Sequence, residues 1–207
     1  ESAVPSARLA AEVLLLHAIG CDRGHLYAHP ERELNDCERV HYARYLRERM
    51  GGKPTQYITG RQEFWGMEFR VTPAVLIPRP ETEHVVERAV ELGRRWAASE
   101  KVTDPPVVVD VGTGSGCIAV AVAAELPRAR VMATDISAAA LALAAENAAR
   151  LGVPGVRFCR CDLLSAVAAG SATLVLANPP YVPQGDAAAL QREILDFEPR
   201  QAVLAGP

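Results

Sequence analysis

The chain has 207 residues, enough for one sizeable domain or for one domain with a small appendage. Its 49% hydrophobic and 23% charged residues are ordinary for a globular protein, and its net charge of −3 argues against a large nucleic-acid footprint, which normally needs a basic face. The five cysteines form no Cys-x-x-Cys pair and have no histidine at metal spacing, so we predict incidental thiols in a reducing compartment and no bound metal.

The beginning of the chain predicts a small all-helical domain over residues 1–52. A helix is expected over 5–20, because apolar residues recur there at helical spacing before a glycine. A second long helix is expected over 36–50, ended by two consecutive glycines. The apolar run 13–16 is too short for a signal peptide or a membrane span, so no membrane association is expected. We expect this domain to position a partner or substrate.

Residues 53–73 predict a linker followed by a β-hairpin. The first part is rich in turn-forming residues, and 63–71 alternates apolar and polar side chains around a pivot near Gly66. The remainder, 74–207, is expected to form one α/β domain.

A proline-rich stretch precedes the next predicted helix. Pro78 and Pro80 stiffen the chain, and Glu81 and Glu83 favour a helix start because acidic groups oppose the helix dipole there. The side chains expected to face the core are Val85, Ala89, Leu92 and Trp96. By spacing alone, Arg79 and Glu81 are interpreted as part of this helix start.

From residue 107 onward, short apolar strands alternate with helices. Strands are expected at 107–111, 131–134, 156–159 and 174–177, and helices at 117–125 and 137–150. This alternation predicts a parallel sheet with right-handed crossovers, whose ligands bind at the carboxyl ends of the strands. Asp110, Asp135, Asp162 and Asn178 all stand at or near those ends.

A glycine-rich loop, Gly112-Thr113-Gly114-Ser115-Gly116, follows the first of these strands. Cys117 occupies the place of the third small residue of a dinucleotide motif, and the absence of a following lysine excludes a nucleotide-hydrolysing P-loop. Asp110 beside the loop would repel a pyrophosphate but suits a cationic amino-acid group.

Two further carboxylates complete the predicted ligand site. Asp135, 25 residues after Asp110, is placed to accept hydrogen bonds from both ribose hydroxyls, and Asp162 with the Leu163 backbone is placed to recognise adenine. A nucleoside with a positively charged tail and no phosphate describes S-adenosylmethionine. A tight strand-to-helix turn explains the glycines but not the three placed carboxylates, so the cofactor interpretation is preferred.

The last predicted strand ends at Asn178-Pro179-Pro180-Tyr181, where the prolines provide no amide hydrogen to continue a ladder. Asn178 Oδ1 and the Pro179 carbonyl are placed to accept both hydrogens of one planar NH2 group, with Tyr181 stacked on the group that carries it. Two such acceptors orient a weakly nucleophilic nitrogen toward the sulfonium methyl and favour its developing positive charge. A strand that simply ends in a Pro-Pro turn is the alternative interpretation of this motif alone.

Three motifs in this order resemble the HemK/PrmC family of peptide-chain release factor glutamine N(5)-methyltransferases. They are Pro-Arg-Pro-Glu-Thr-Glu at 78–83, Asp-Val-Gly-Thr-Gly-Ser-Gly at 110–116 and Asn-Pro-Pro-Tyr at 178–181, with Lys-Pro-Thr-Gln-Tyr at 53–57 and the helical N-terminal domain in support. The resemblance implies a Rossmann-like class I S-adenosylmethionine-dependent methyltransferase sheet with a small N-terminal all-helical domain. The implied product of the cofactor is S-adenosyl-L-homocysteine.

The motifs and the resemblance together define the expected site. The expected cofactor-binding residues are Arg79, Pro80, Glu81, Thr82, Asp110, Gly112, Thr113, Gly114, Ser115, Gly116, Asp135, Ile136, Asp162, Leu163 and Asn178. The expected catalytic and substrate-binding residues are Asn178, Pro179, Pro180 and Tyr181, which would hold the glutamine of a Gly-Gly-Gln loop in a class I release factor. The residues from Arg79 to Thr82 are interpreted by spacing alone as a helix start; the resemblance implies instead that they line the cofactor pocket. Leu163 stands where some members carry an aromatic residue beside adenine.

One departure and two alternatives accompany this resemblance. The family's sheet has seven strands, whereas only 29 residues follow Asn178 in this chain of 207, so we expect a fragment that lacks the last strands. The alternatives are an adenine-N6 methyltransferase acting on DNA or RNA, and a truncated, inactive protein that binds a release factor. The expected partner is a class I release factor, with no direct contact to nucleic acid or membrane, and the protein is expected to be a cytoplasmic monomer.

Overall fold

The computed structural model describes residues 6–99 and 104–206. The chain divides into two compact units, each built from two stretches of sequence. One comprises Glu1–Gly60 with Leu190–Phe197, and the other comprises Arg61–Ala189 with Glu198–Pro207. The domain boundaries expected at residues 52 and 73 stay a prediction, and the helix start expected at residue 5 lies outside the described residues.

Helices and strands follow each other closely along the described chain. The α-helices are α1 (Ala7–Ile19), α2 (Arg23–Ala28), α3 (Asp36–Met50), α4 (Thr55–Thr59), α5 (Glu83–Ala97), α6 (Cys117–Glu125), α7 (Ala138–Arg150), α8 (Arg192–Phe197) and α9 (Arg200–Val203). The β-strands are β1 (Arg61–Phe64), β2 (Met67–Arg70), β3 (Val107–Val111), β4 (Arg130–Asp135), β5 (Arg157–Arg160) and β6 (Leu174–Ala177). Short 3-10 helices cover Pro80–Thr82 and Gln184–Ala189.

The helical unit contains α1 to α4 and, from much later in the sequence, α8. Helix α3 begins at a reciprocal cap, in which Asn35 Oδ1 accepts from the Glu38 amide and Glu38 Oε2 accepts from the Asn35 amide, both at 2.9 Å. Helix α1 ends at Gly20, whose φ of 64° suits a residue without a Cβ. The stretch 53–60, expected to be a linker, contains α4, which packs against α1 and buries Tyr57.

A buried ion pair joins α3 to α8 inside the helical unit. Arg49 is 7% exposed, and its Nη2 lies 2.8 Å from Glu193 Oε2. Its Nη1 donates to the Lys53 carbonyl at 3.1 Å. Because this guanidinium is removed from water, Glu193 provides the negative charge that compensates it.

Glu193→Ala is expected to destabilise the helical unit by about 2–3 kcal/mol, because it leaves a buried guanidinium without its counter-charge. The free energy of unfolding in urea measures this loss. Asp196→Ala in the same helix is the matched control, since Asp196 pairs with the exposed Arg192 at 3.9 Å and its loss is expected to cost less than about 0.5 kcal/mol. Equal losses in the two variants would contradict the role given to Glu193.

The second unit begins with a hairpin formed by β1 and β2. Its turn residues Trp65 and Gly66 have positive φ values of 54° and 67°, as a two-residue type I′ turn requires. Phe64 and Phe69 are almost completely buried, and their rings meet edge to face with centroids 6.1 Å apart. The hairpin predicted around Gly66 is confirmed.

Helix α5 buries a face that is rotated from, but overlaps with, the one predicted. Its buried residues are Val86, Ala89, Val90 and Gly93. Of the predicted stripe, Ala89 is buried and Val85 is partly buried against the core, whereas Leu92 is not fully buried and Trp96 is 39% exposed. The physical reason is the contact at Gly93, where a Cβ would lie 2.4 Å from Leu126 Cδ1. Gly93 therefore faces Leu126, and this rotation of the helix places Val86 and Val90 in the core.

The centre of the second unit is a parallel sheet, which in the described part of the chain has four strands in the order β5-β4-β3-β6. Val111 at the end of β3 pairs with Thr134 of β4 on one side and with Ala177 of β6 on the other. Adjacent strands therefore end at the same level. The α/β class predicted from the alternation of strands and helices is confirmed, and the segments that follow the strands meet along one edge of the sheet.

Candidate active site

A cavity of about 300 Å³ lies at the carboxyl edge of the parallel sheet. The sequence-predicted residues in its wall are Thr82, Gly112, Thr113, Gly114, Ser115, Asp135, Ile136, Asp162, Leu163, Asn178, Pro179 and Pro180. The cavity is at the lower end of the volume range of small-molecule sites. It brings together the glycine loop, the two carboxylates that follow it and the Asn-Pro-Pro turn.

The other predicted site residues lie outside this wall. They are Arg79, Pro80, Glu81, Asp110, Gly116 and Tyr181. Arg79 pairs with Glu198 at 2.5 Å, Pro80 and Glu81 are exposed on a 3-10 helix, and Tyr181 is 76% exposed. Asp110 supports the glycine loop from the core, and Gly116 ends the loop where it packs against Ala144. Direct contact of these residues with a ligand stays a prediction.

The loop between β3 and α6 has a backbone conformation that glycine adopts readily and other residues do not. Gly112, Gly114 and Gly116 have φ values of 69°, 56° and 82°. A Cβ at Gly116 would lie 2.9 Å from the Cβ of Ala144, so this glycine permits the close approach of α6 and α7. A Cβ at Gly112 would meet no atom within 4 Å, which leaves space for a ligand beside the loop.

Thr134, in β4, supports two sides of the cavity. Its carbonyl accepts from the Gly112 amide at 2.9 Å and from the Thr113 amide at 3.0 Å, while its hydroxyl donates to the Leu163 carbonyl at 3.0 Å. Leu163 has a φ of 48°, a strained value for a bulky side chain, and is 68% exposed. Sequence reasoning missed Thr134, because a threonine inside a predicted strand carries no distinguishing signal.

Asp135 ends β4 in the cavity wall. Its Oδ2 accepts from the Gly114 amide at 3.0 Å, and its Oδ1 accepts from the Ser137 amide at 2.9 Å. The carboxylate therefore orders the glycine loop and the start of α7 together. A carboxylate has about four acceptor positions, so Asp135 retains capacity for the two neighbouring hydroxyls of a ribose.

Asp110 lies behind the glycine loop and is 0% exposed. Thr113 Oγ1 donates to its Oδ2 at 2.6 Å. Burial raises the pKa of Asp110 to about 6, although the hydrogen bond from Thr113 lowers it. The carboxyl thus fixes the loop from within the core.

This raised pKa predicts a pH dependence of stability. The carboxyl ordinarily titrates near 3.8, so between pH 4 and pH 6 the folded protein holds the proton more tightly than the unfolded chain does. The stabilisation that the protonated Asp110 carboxyl gives the folded state is therefore present at pH 4 and is lost as the pH rises through 6. Asp110→Asn does not titrate, and its free energy of unfolding is expected to rise by about 2–3 kcal/mol relative to the wild type between pH 4 and pH 7. A difference that stays constant over this range in urea titrations would contradict the assignment.

Asn178 follows β6 directly, and its side-chain amide has a defined orientation. Nδ2 donates to Thr82 Oγ1 at 3.1 Å, which leaves Oδ1 directed away from Thr82. Beyond the two prolines, Val182 forms a bridge with Leu204, and the Ala205 amide donates to the Val182 carbonyl at 2.8 Å. The Pro-Pro turn is therefore fixed before the prolines by the bond of Asn178 to Thr82 and after them by the contacts of Val182.

Two buried polar side chains support this site although sequence reasoning gave them no role. Glu198 is 5% exposed; it pairs with Arg79 and accepts from the Ile77 amide at 3.2 Å. Asn147 is 0% exposed; it donates to the carbonyls of Ser115 and Arg70 at 2.9 and 3.0 Å and accepts from the Arg70 amide at 2.8 Å. The sequence feature that could have indicated a role for Asn147 is its polar amide within the alanine-rich helix α7.

The donor and acceptor chemistry of the cavity suits a nucleoside with a cationic tail. The described wall contains no lysine or arginine to pair with a phosphate, whereas Asp135 and Asp162 give it negative charge. Ile136 and Leu163 add apolar surface suited to a heterocyclic base. These residues fit S-adenosylmethionine better than a nucleotide phosphate.

The described residues contain neither a metal-binding cluster nor a membrane-spanning helix. Across 6–99 and 104–206, no group of three or more His, Cys, Asp or Glu side chains is arranged to hold a metal ion. No helix in the described chain combines the length and apolar character needed to cross a membrane.

Known proteins resemble this chain along both of its parts. The family described as PrmC N-terminal domain matches residues 1–60, and the family described as Methyltransferase small domain matches 99–200. A release factor glutamine methyltransferase from Koribacter versatilis is 50% identical over 203 residues, covering 98% of this chain and 70% of that protein. Another of the same name from Chlorobaculum tepidum is 46% identical over 210 residues, covering 99% of this chain and 71% of that protein.

A solved structure shows the same fold at low sequence identity. The hMettl16 catalytic domain, in complex with MAT2A 3'UTR hairpin 6, matches with a TM-score of 0.53 and 16% identity, covering 73% of this chain and 55% of that one. This likeness concerns the fold alone.

Proposed function

The chain belongs to the release factor glutamine methyltransferase family, and on that premise we propose how its cavity carries out the reaction. The protein transfers a methyl group from S-adenosyl-L-methionine to the side-chain amide nitrogen of the glutamine in the Gly-Gly-Gln motif of class I release factors. The products are the N(5)-methylated glutamine and S-adenosyl-L-homocysteine. The resemblance to the HemK/PrmC family that the motifs indicated is confirmed.

One observation carries the mechanism: Asn178 lies in the wall of the same cavity as the glycine loop and Asp135. A cavity that suits a nucleoside at one end and presents a carboxamide oxygen at the other supports the transfer of a group between two bound molecules. A tight turn at the glycine loop and a strand end at the Asn-Pro-Pro turn would each explain one motif, but not why both motifs line the same cavity.

We propose that the cofactor occupies the part of the cavity along β3 and β4. When bound, S-adenosyl-L-methionine supplies a methyl group made electrophilic by its sulfonium. Asp135 would accept from the ribose hydroxyls, and the glycine loop Gly112–Gly116 would hold the amino-acid portion with its backbone. Ile136 and Leu163 would provide the apolar surface for the adenine, and Asp162 would accept from its polar edge.

We propose that the substrate amide is held by the Asn-Pro-Pro turn. Its nitrogen is a weak nucleophile because the lone pair is delocalised. Asn178 Oδ1 and the Pro179 carbonyl accept its two hydrogens, so the lone pair points toward the methyl and the positive charge that develops on nitrogen is stabilised. Pro180 keeps the turn rigid, and the exposed Tyr181 packs on the incoming side chain. The methylated nitrogen then loses its proton to water.

We also propose that the protein binds its release factor directly, makes no contact with nucleic acid and acts as a monomer in the cytoplasm. The net charge of −3 supports the absence of a nucleic-acid surface, and translation termination is a cytoplasmic process. Light scattering from the purified protein, alone and with a release factor, tests the monomer and the stoichiometry of the complex.

The alternative of an adenine-N6 methyltransferase is not favoured. The likeness to hMettl16, which was solved with an RNA hairpin, is at 16% identity. The relatives named release factor glutamine methyltransferase extend over almost the whole chain at 46% and 50% identity.

A methylation assay tests the function directly. With tritiated S-adenosyl-L-methionine, label is expected in a recombinant class I release factor and not in its Gly-Gly-Ala variant. Label in added DNA or RNA, or no label in the wild-type release factor, would refute the assignment.

A further inference from the structure

The hydrogen bond between Thr82 and Asn178 points to a role for Thr82 that rests on the proposed function. We propose that Thr82 is a positioning residue: its hydroxyl orients the Asn178 carboxamide so that Oδ1 faces the substrate nitrogen. Thr82 does not need to touch either substrate to act in this way. It acts through Asn178, whose side chain contacts the substrate nitrogen.

The first argument is that Thr82 lies at the junction of the 3-10 helix Pro80–Thr82 and α5, and its hydroxyl makes no cap hydrogen bond there. A threonine that caps a helix has an extended backbone and accepts a hydrogen bond from the first turn, whereas Thr82 continues the 3-10 helix into α5. Here the residue has φ −68° and ψ −18° and makes no side-chain cap hydrogen bond. The hydroxyl instead lies 3.1 Å from Asn178 Nδ2, a residue 96 positions away in the sequence. Helix formation therefore does not explain this contact.

The second argument concerns the two ends of a carboxamide. The Asn178 side chain has a donor end and an acceptor end, and the substrate nitrogen, which brings two hydrogens, needs the acceptor. If the amide were turned over, two NH2 groups would face each other without an acceptor between them. The Thr82 hydroxyl can accept from Nδ2 or donate to Oδ1, so it is the substrate's two hydrogens that select the orientation with Oδ1 toward the nitrogen; in that orientation the hydroxyl accepts from Nδ2, as observed, and holds the donor end away from the substrate.

The third argument is that Thr82 itself cannot easily move. It is 7% exposed and β-branched, which restricts its side-chain rotamers. Its amide donates to the Arg79 carbonyl at 3.0 Å. The buried Glu198 fixes the same loop twice, through Arg79 at 2.5 Å and through the Ile77 amide at 3.2 Å. An acceptor on so firmly held a loop is a suitable reference point for the catalytic amide.

This role differs from the one expected for Thr82 as a cofactor-binding residue. A cofactor-binding role predicts weaker affinity for S-adenosyl-L-methionine when the hydroxyl is removed. A positioning role predicts unchanged affinity and a slower chemical step, because the cost appears only when the substrate nitrogen must be aligned. The two roles are therefore separable by kinetics.

The test compares Thr82→Val, which keeps the shape but lacks the hydroxyl, with Thr82→Ser, which keeps the hydroxyl. Methylation of a class I release factor gives kcat and KM, and calorimetry gives the Kd for S-adenosyl-L-methionine. We expect Thr82→Val to lower kcat by about 10–100-fold with Kd within about twofold of the wild type, and Thr82→Ser to recover kcat to within about threefold. The melting temperature of each variant shows that the fold is intact.

Three outcomes would overturn the inference: a kcat of Thr82→Val within about twofold of the wild type, a loss confined to cofactor affinity, or a Thr82→Ser variant as impaired as Thr82→Val. A wild-type protein that methylates no release factor would instead refute the proposed function itself. The wild-type control therefore distinguishes the two failures.

Discussion

Asn178→Ala is expected to lower kcat for release-factor methylation by about 10³-fold, because it removes the acceptor that aligns the substrate nitrogen and stabilises its developing charge. The affinity for S-adenosyl-L-methionine is expected to change by less than about threefold, since Asp135 and the glycine loop make separate hydrogen bonds in the cavity wall. Single-turnover kinetics with a release factor measures the first effect, and calorimetry measures the second.

Asn178→Asp is the informative companion to this variant. It keeps an acceptor oxygen in the same place and is expected to be considerably more active than Asn178→Ala. An alanine variant that retains more than about a tenth of the wild-type kcat would refute the catalytic role of Asn178. A loss that disappears at saturating cofactor would assign Asn178 to cofactor binding instead.

Asn147→Leu is expected to destabilise the protein by about 3–5 kcal/mol, the largest stability effect we predict. The substitution conserves volume but leaves the Arg70 amide, the Arg70 carbonyl and the Ser115 carbonyl without the partner that Asn147 provides. For a chain of this size, such a loss lowers the melting temperature by roughly 6–20 °C. Calorimetry or urea unfolding measures it.

Glu146→Ala is the matched control for this prediction. Glu146 precedes Asn147 in α7, and its pair with Arg70 at 2.5 Å is about half exposed, so its loss is expected to cost less than about 1 kcal/mol. Asn147→Leu should also weaken cofactor binding, because Ser115 belongs to the glycine loop. Equal stability of the two variants would show that the buried amide is replaceable by an apolar group.

The sequence predicted the parts of this protein that depend on short-range pattern. The strands 107–111 and 174–177 and the helix 117–125 occur with the expected bounds, because apolar runs and glycine stops act within a few residues. Their alternation was enough to predict that the following loops meet at one sheet edge. For that reason the glycine loop, Asp135, Leu163 and Asn178 were all predicted to share a cavity, and they do.

The errors have a different physical origin. The face of α5 was predicted only in part, because the apolar stripe alone does not reveal that Gly93 packs against Leu126. The stretch 53–60 was expected to be a linker, because its turn-forming residues conceal a helix that buries Tyr57. In both places a contact outside the local segment outweighs local propensity.

What the sequence determined by itself is the chemistry at the strand ends: which carboxylates, glycines and amide stand there, and hence the kind of ligand and reaction. Only the tertiary structure decided how those groups are held, through Thr82 on Asn178, Glu198 on Arg79, and Asn147 on Ser115. The physical reason is that each of these bonds joins residues 32 to 119 positions apart. Such bonds depend on the packed distances between loops and helices, which no local pattern contains.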